Sequence, residues 1–524
     1  MTSRLNPALR GSVVDMSIRE RLAHTPPGYR YSIGRILAIY SGLMVTLLLA
    51  ALDQTILATA LPSIVGDLGG LTQYSWVFTA YLLATTVTVP VYGKLGDVYG
   101  RRPLFIIAIC IFLVGSALCG AAQSMTQLVV FRAVQGVGAG GLIPLALAVI
   151  GNLVPPRDRG RYQGLIGGVF AAASIIGPAI GGFIVDNTTW RWIFYVNLPV
   201  GGVALLVIWI TMPRRRDVVP RSIDWAGAGV LALGTTSLLL GLVWGGRQYA
   251  WDSPHVVGAL TAAAVLLVVF GLWERRVEEP ILPFDILQNR IVLSSVLCMA
   301  LIGMAMFGTI AYVPLFVQGV IGTSATSSGV VLTPLMLGAV TTSFFAGQWV
   351  SRTGHYRGNV IVGPLILAVG MTMLWRMNVH TTNGEAARNM VVCGIGIGSV
   401  MQVFVLSVQN AVRRAQMGSA TALTQFARSI GATVGVTIMG VIVNQGLPST
   451  LHGAADGVTV HRLPPALRDD LANALKPAFL AAACVAVLVW LIALLGVKEV
   501  PLRSGFEDAP ELAAVDASGA PSPR

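Results

Sequence analysis

Two charged side chains interrupt apolar stretches of the sequence, and they are the residues best suited to carry chemistry. Asp53 follows a run of about sixteen almost wholly apolar residues, and Arg132 opens the glycine-rich stretch 132-RAVQGVGAGG-141. A charge at the centre of a membrane helix costs about 2.5–3.5 kcal/mol on insertion scales, so such residues mark ion, proton or substrate pathways. A carboxylate can take up and release a proton, and a nearby arginine can control that exchange. We therefore predict that Asp53 and Arg132 form a proton-coupling site.

The composition places these residues in a membrane protein. Of 524 residues, 55% are hydrophobic and only 11% are charged, whereas soluble domains carry about 25% charged residues. The net charge of +12 does not indicate a nucleic-acid partner, because Lys and Arg separate the apolar runs instead of clustering on a soluble face. The five widely spaced cysteines indicate neither disulfides nor a metal site. Without a GxxxxGK[ST] phosphate loop or clustered catalytic residues, we expect no cofactor and no enzyme activity.

The hydropathy pattern predicts an all-α polytopic fold, since each membrane helix needs about 20 mostly apolar residues. Fourteen such helices are predicted at residues 36–59, 74–92, 104–122, 127–150, 162–185, 193–212, 226–246, 255–273, 291–313, 327–349, 359–377, 389–410, 420–443 and 478–497. An even number puts both termini on one side. If that side is the cytoplasm, 26 of the 35 Lys and Arg lie in inner segments and 7 in outer loops, as the positive-inside rule requires.

An internal repeat divides the chain. The stretches 93-GKLGDVYGRR-102 and 347-GQWVSRTGHYR-357 align by their glycines, with Ser351 at the position of Asp97. Each follows the second predicted helix of a set of six, which indicates two related halves with sites at their interface. The predicted divisions are a cytoplasmic segment 1–35, a six-helix half 36–212, a linker and two-helix insert 213–288, a second six-helix half 289–497, and a disordered cytoplasmic tail 498–524.

Four motifs carry a family resemblance that covers about residues 36–497. The loop 93-GKLGDVYGRRP-103 resembles the signature between the second and third spans of the major facilitator superfamily, and 132-RAVQGVGAGG-141 resembles its fourth-span motif. The stretch 174-SIIGPAIGGFI-184 resembles the fifth-span motif associated with antiporters. The stretch 52-LDQTILATALP-62 resembles the first-span motif of the fourteen-span drug:proton antiporters of EmrB/QacA type.

This resemblance implies the major facilitator fold and a proton-coupled antiporter in a bacterial cytoplasmic membrane. Its expected substrates are lipophilic, cationic or neutral small molecules such as drugs, dyes and antibiotics. We expect a monomer whose partners are these substrates, protons and the lipid bilayer. A dedicated exporter of an endogenous metabolite, siderophore or lipid would share the fold, as would a proton-coupled importer, and both stay open as alternatives.

Several polar and aromatic residues within the spans are predicted to contact the substrate. They are Asp53, Gln54, Gln135, Tyr312, Gln402 and Phe404. Arg428 is a second intramembrane cation and a candidate charge partner in the second half.

The glycines and charged residues of the loops predict a conformational latch that holds one state of the transporter and breaks in the other. Its residues are Gly93, Asp97, Gly100, Arg101 and Asp158. In this prediction Asp97 lies at a helix N-terminus and Arg101 pairs with Asp158. The second half has Ser351 in place of the acid, so its latch is expected to be weaker or differently built.

The fifth-span motif predicts a kinked helix that packs closely against its neighbours, because proline removes a backbone hydrogen bond and glycines thin the helix. The residues concerned are Gly177, Pro178, Gly181 and Gly182.

Overall fold

The computed structural model describes residues 31–502, apart from 69–73, 214–223, 247, 278–279, 283, 323–324, 414–415 and 447–464. The N-terminal bundle comprises α1 (Ile33–Leu68), α2 (Tyr74–Val98), α3 (Arg101–Gly120), α4 (Met125–Leu153), α5 (Pro156–Asn187), the short α6 (Trp192–Tyr195) and α7 (Asn197–Thr211). The insert pair is α8 (Trp225–Trp244) and α9 (Pro254–Glu274). The C-terminal bundle comprises the short α10 (Phe284–Gln288), α11 (Arg290–Phe316) with a π-helical extension (Val317–Ile321), α12 (Ala325–Thr353), α13 (Arg357–Trp375), α14 (Asn383–Ala411), α15 (Met417–Gly446) and α16 (Pro465–Gly496).

Twelve helical segments in the described part of the chain are long and apolar enough to cross a membrane. The helices α5 and α12, with 32 and 29 residues, are not among the twelve. These two helices pack against each other between the bundles, where a Cβ on Gly167 would lie 3.5 Å from Val340 Cα. Surfaces that face another helix can carry small and polar residues, whereas surfaces that face lipid cannot. Their position explains their less apolar sequences.

Glycines set the closeness of helix packing within each bundle. A Cβ on Gly136 of α4 would lie 2.5 Å from the carbonyl oxygen of Tyr81 on α2. In the C-terminal bundle, a Cβ on Gly431 of α15 would collide with the carbonyl oxygen of Ala300 on α11. Such contacts let backbones approach until dispersion forces between them are strong, which is how membrane helices associate without a hydrophobic driving force.

The two bundles share a hydrophobic core at one end of the molecule. A hydrophobic cluster joins Phe105 of the N-terminal bundle to Phe404 of the C-terminal bundle. Towards the opposite end each bundle has its own cluster, one around Phe194 and the other around Phe316. We call the end with the shared core, which holds residues 93–101, the latch end, and the other the far end. The described residues thus pack the bundles together at the latch end and into separate cores at the far end.

The backbone supports the alignment of the two repeated loops. Gly100 and Gly354, which the sequence alignment equates, have φ angles of 88° and 76°. This left-handed region is open to glycine and costly for residues with a Cβ. Both glycines lie where a long helix ends and the chain turns into the next one, so the two loops make the same turn in each bundle.

The segment that follows α16 contacts the start of α13. Val500 N donates to Tyr356 Oη at 3.2 Å, and Tyr356 N donates to Glu499 Oε1 at 3.1 Å. These bonds fix residues 498–502 against the start of α13, because the tail supplies partners for otherwise unpaired groups of Tyr356. The rest of the predicted tail, 503–524, and the N-terminal residues 1–30 lie outside the described residues.

The glycine contacts predict the effect of a single methyl group. Gly431→Ala is expected to lower the unfolding free energy by about 1–3 kcal/mol, because the new Cβ forces α15 away from the Ala300 carbonyl. Thermal unfolding of the purified protein in detergent would measure the change. The matched control is Gly258→Ala on α9, where nothing lies within 4 Å of the new Cβ. Equal melting temperatures for the two variants would contradict the packing assigned to Gly431.

Candidate functional site

The carboxylate of Asp53 on α1 is buried and accepts hydrogen bonds from three side chains. Arg132 Nη1 lies 2.7 Å from Oδ2, and Gln135 Nε2 lies 2.7 Å from Oδ1. Asn197 Nδ2 also donates to Oδ1, at 2.9 Å. Arg132 and Gln135 are neighbours one turn apart on α4, and Asn197 is the first residue of α7. Three helices therefore converge on one carboxylate.

Arg132 is fully enclosed, with 0% of its surface exposed. Its Nη1 also donates to Gln135 Oε1 at 2.6 Å, and its Nε donates to the carbonyl oxygen of Val77 at 3.4 Å. The guanidinium carbon lies 4.1 Å from the ring centroid of Tyr81, a cation–π contact. Its Nη2 has no hydrogen-bond partner among the described residues. The buried ion pair thus keeps one donor available for a different arrangement.

Two members of this network, Asn197 and Ser116, were not predicted from the sequence. Asn197 Nδ2 lies 3.0 Å from Ser116 Oγ, which donates to the carbonyl oxygen of Phe194 at 2.9 Å. Through these hydrogen bonds, Ser116 connects α3 and the α6–α7 turn to Asn197, which binds the carboxylate. A signal was present in the sequence, because Asn197 is a lone amide at the start of an apolar run.

Two residues of this network, Asp53 and Gln135, were predicted to contact the substrate, and both are enclosed by protein. Asp53 is 3% exposed and Gln135 is 0% exposed, and both oxygens of Asp53 are engaged by neighbours. The structure brings Asp53 together with Arg132, the residue with which it was predicted to form a proton-coupling site. This conformation does not allow the direct substrate contact predicted for Asp53 and Gln135.

Asp97, at the end of α2, connects the two bundles at the latch end. Its Oδ1 accepts from Gly418 N at 3.0 Å, and its Oδ2 accepts from Ser419 N at 2.8 Å and from Ser419 Oγ at 3.2 Å. Two of these donors are backbone N–H groups in the first turn of α15, where the helix dipole favours an anion. Asp97 thus lies against a helix N-terminus, the placement that was expected for it. A Cβ on Gly93 would collide with Ala422, so that glycine permits the approach.

Arg101 supports Asp97 from its own side. Arg101 Nη2 lies 3.0 Å from Asp97 Oδ1, and Nη1 donates to the carbonyl oxygen of Ala148 at 3.0 Å. Asp158, the partner predicted for Arg101, accepts from Ser351 Oγ at 3.3 Å. Arg101 forms an ion pair with Asp97, one helical turn away, and its pairing with Asp158 stays a prediction.

The second contact between the bundles, Asp158 with Ser351, also joins the end of one helix to the start of another, but here the acidic residue is at the start of its helix. Asp158 lies in the first turn of α5, and Ser351 lies near the end of α12. In the first contact, the helix end supplies the acid and the facing helix N-terminus supplies the donors. In the second, the acid belongs to the helix N-terminus and the helix end supplies a hydroxyl. The expectation of a differently built second latch agrees with this exchange.

The fifth-span glycines bring α5 close to α1. A Cβ on Gly177 would collide with Thr55 Oγ1, which donates to the carbonyl oxygen of Ala173 at 3.1 Å. Gly182, by contrast, has nothing within 4 Å of its Cβ position. The helix continues through Pro178, whose side chain lies outside the described residues, and Gly181 is buried. Close packing is therefore supported at Gly177 and not at Gly182.

Comparison with known proteins gives this arrangement a family. Residues 43–436, more than half of the chain, match the Major Facilitator Superfamily. The chain belongs to the Major Facilitator Superfamily. Proteins with this fold and family are transporters and not enzymes, so this chain is a multi-pass membrane transporter for small molecules.

The relatives of this superfamily member include multidrug transporters. It is 41% identical over 406 residues to multidrug transporter protein MdtP of Bacillus subtilis (strain 168), covering 78% of this chain and 75% of that protein. It is 36% identical over 417 residues to multidrug resistance protein 3 of the same organism, covering 80% and 81%. A solved structure of the proton:xylose symporter XylE superposes with a TM-score of 0.63 at 14% identity, over 90% of this chain and 97% of that one. The last likeness shows the fold alone.

Three predicted substrate residues of this transporter have different surroundings. Gln54 on α1 is exposed. Tyr312 on α11 is half-buried, and its hydroxyl donates to the carbonyl oxygen of Val436 at 3.3 Å. Phe404 is fully buried in the core shared by the bundles, so it does not line a cavity in this conformation. Gln402 and Arg428, on α14 and α15, belong to the C-terminal bundle and lie apart from the Asp53 network.

The ion pair predicts strong coupling between its two members. Removing one partner leaves a buried, uncompensated charge, so Arg132→Gln is expected to cost about 3–5 kcal/mol of stability. Adding Asp53→Asn to Arg132→Gln is expected to recover much of that loss. A double-mutant cycle on thermal unfolding in detergent measures the interaction. Additive single and double effects would contradict the pairing.

The latch contact predicts a shift between conformations. Asp97→Asn removes the charge from hydrogen bonds worth about 1.5–3 kcal/mol each, so the latch end is expected to open in a larger fraction of molecules. Spin labels at Tyr99 and Arg352 of a cysteine-free protein would report this as a longer distance population. Asp252→Asn, at an exposed acid near the insert pair, is the matched control. Identical distance distributions for both variants would argue against the latch.

Proposed function

We propose that this transporter is a proton-coupled antiporter of the fourteen-span drug:proton type that exports lipophilic small molecules. The observation that carries the proposal is the buried ion pair between Asp53 and Arg132, at 2.7 Å. An ion pair enclosed by protein inside a bilayer is expensive to form and is kept where charge movement is part of function.

Proton binding gives the pair two states. When Asp53 takes a proton, its carboxyl group becomes neutral and loses its charge attraction for Arg132. The guanidinium then has to satisfy its charge elsewhere, and its spare Nη2 provides a donor for that purpose. Because Asn197 and Gln135 also hold the carboxylate, α1, α4 and α7 all respond to the same proton. Protonation therefore acts on the packing of the N-terminal bundle as a whole.

Alternating access follows from the contacts between bundles. With the latch end packed, the far end gives access from one side of the membrane. Breaking the Asp97 contact with α15 and the Asp158 contact with α12 exposes the other side. The proton and the substrate need not touch, because both act on the same rocking motion of the two bundles.

We also propose that α5 and α12 span the membrane, which gives fourteen spans arranged as two six-span halves, 36–212 and 289–497, with the insert pair between them. Their length and their packing between apolar helices support this count. Both termini are then cytoplasmic, in agreement with the excess of Lys and Arg on that side. The latch end faces the cytoplasm, and the protein acts as a monomer in a bacterial cytoplasmic membrane.

Export of drugs is supported by the relatives, two of which are a multidrug transporter and a multidrug resistance protein. An enclosed charge pair together with largely apolar bundles suits compounds that partition into the membrane. Such substrates are recognised by adaptable apolar walls more than by a fixed pattern of hydrogen bonds.

The test measures dye transport in proteoliposomes that contain the purified protein, with a panel of lipophilic dyes. It distinguishes loss of proton coupling from loss of dye binding. Asp53→Asn is expected to abolish dye movement driven by a pH gradient. Exchange of dye for dye without a gradient is expected to persist, because the asparagine keeps the shape of the site and needs no proton.

The matched control is Asp67→Asn, next to the last residue of α1. Asp67 is exposed and accepts from Trp190 Nε1 at 2.8 Å and from Arg191 Nη1 at 3.1 Å, contacts that lower the pKa of its carboxyl group. This variant is expected to retain gradient-driven transport. Normal gradient-driven transport by Asp53→Asn would overturn the assignment of coupling to Asp53.

A further inference from the structure

Arg428 of α15 is a cation inside the C-terminal bundle. It lies eleven residues, or about 16 Å, along the helix from Met417. Its Nε donates to Gln425 Oε1 at 3.1 Å. Within the described residues, no Asp or Glu forms an ion pair with it. An uncompensated charge at this depth is costly and marks a place where a ligand supplies the missing charge.

The position of Arg428 on its helix places it beside the interface between the bundles. Near the latch end, Gly418 and Ala422 of α15 lie against Gly93 of α2. Arg428 lies about 80° around the helix from Gly418, and it shares the face of Thr421, two helical turns away, which contacts Gln409 of α14. The side chain of Arg428, which is only partly buried, therefore lies about two turns beyond the contact between Gly93 and Ala422, towards the far end.

A second polar side chain lies at the same depth on the neighbouring helix. Gln409 Nε2 of α14 donates to Thr421 Oγ1 of α15 at 3.0 Å, which fixes the register of these antiparallel helices. Gln402 and Arg428 are both seven residues from that pair towards the far end. Gln402 Oε1 is buried and has no hydrogen-bond partner among the described residues. A buried acceptor without a partner is rare and calls for an explanation.

The charged residues inside the two bundles differ in whether they are paired. In the N-terminal bundle, Asp53 and Arg132 neutralise each other at 2.7 Å. In the C-terminal bundle, Arg428 stands without an acid in the described spans, so the space between the bundles carries a positive charge. In a medium of low dielectric constant that charge repels cations and attracts anions over a long distance.

We propose that Arg428 and Gln402 form an anion subsite of the transport cavity, which selects lipophilic compounds with a carboxylate or phenolate group. Arg428 binds the negative group, and Gln402 Oε1 accepts a hydrogen bond from a hydroxyl or N–H of the same compound. This inference rests on the proposed export function and reverses the charge expected of the substrate from the sequence. It assigns selectivity to the C-terminal bundle and proton coupling to the N-terminal bundle.

The binding test uses two dyes that share a xanthene core, fluorescein as the anion and rhodamine 6G as the cation. Fluorescence anisotropy with the full-length protein in nanodiscs measures both affinities. The wild type is expected to bind fluorescein more tightly than rhodamine 6G. Arg428→Gln is expected to weaken fluorescein binding by about tenfold or more, and Arg428→Lys, which keeps the charge, by about threefold. Arg275→Gln removes an exposed charge at the end of α9 and is the matched control.

Gln402→Leu provides an independent variant, because it removes the acceptor and leaves the charge. It is expected to weaken fluorescein binding by about threefold to tenfold and to leave rhodamine 6G unaffected. Equal losses for both dyes in Arg428→Gln, unchanged fluorescein binding in that variant, or a wild type that binds fluorescein no better than rhodamine 6G would each overturn the anion subsite.

A transport measurement distinguishes failure of the subsite from failure of the proposed function. Exchange of a monoanion for one proton moves two charges, so an inside-negative potential set by potassium and valinomycin is expected to speed export of benzoate-type monoanions. Exchange of a monocation for one proton moves no net charge and is expected to be insensitive. Selective binding of fluorescein without any proton-driven anion transport would overturn the antiport proposal and leave the subsite. Proton-driven transport without selective binding would do the reverse.

Discussion

The burial of a carboxylate and a guanidinium within one membrane bundle constrains everything around them. Each ion alone would cost several kcal/mol to hold away from water. The cost is offset because Arg132 reaches Asp53 at 2.7 Å and because amide groups from two further positions complete the shell. The helices that supply these groups must keep their positions to within hydrogen-bond distance. The glycines of α4 allow that approach, since larger residues there would collide with α2 and α3.

The interface between the bundles depends on weaker, reversible contacts. Asp97 binds the first turn of α15 through backbone donors, and Asp158 accepts from Ser351 at the facing position. Both contacts combine a carboxylate with neutral donors next to a helix N-terminus, where anions are stabilised without a full counter-charge. Contacts of this strength can hold one conformation and still break in a transport cycle. The contacts between the bundles therefore differ from the Asp53 network, because the network is enclosed by protein whereas the interface is partly accessible to solvent.

Much of the fold and part of the site followed from the sequence. Helix positions were readable because apolar runs in a membrane protein are long and are separated by charged loops. Asp53, Arg132 and Gln135 were identifiable because polar residues are conspicuous in such runs. Asn197 and Ser116 were missed because a single amide or hydroxyl near a helix end is common, and only packing shows that it faces a carboxylate. The ion pair between Arg101 and Asp97 was not predicted, because the partner of Arg101 was sought on the neighbouring loop and not one helical turn away.

The sequence by itself determined the superfamily, the depth of each charge within its helix and the equivalence of the two repeated loops, since these depend on local composition and spacing. The tertiary structure decided which charges meet. It paired Asp53 with Arg132, placed Asp97 at the N-terminus of α15, and left Arg428 without an ion-pair partner among the acids that the structure describes. The physical reason is that an ion pair depends on the relative rotation and separation of helices that are distant in the chain. Those quantities are fixed by the packing of many small residues together.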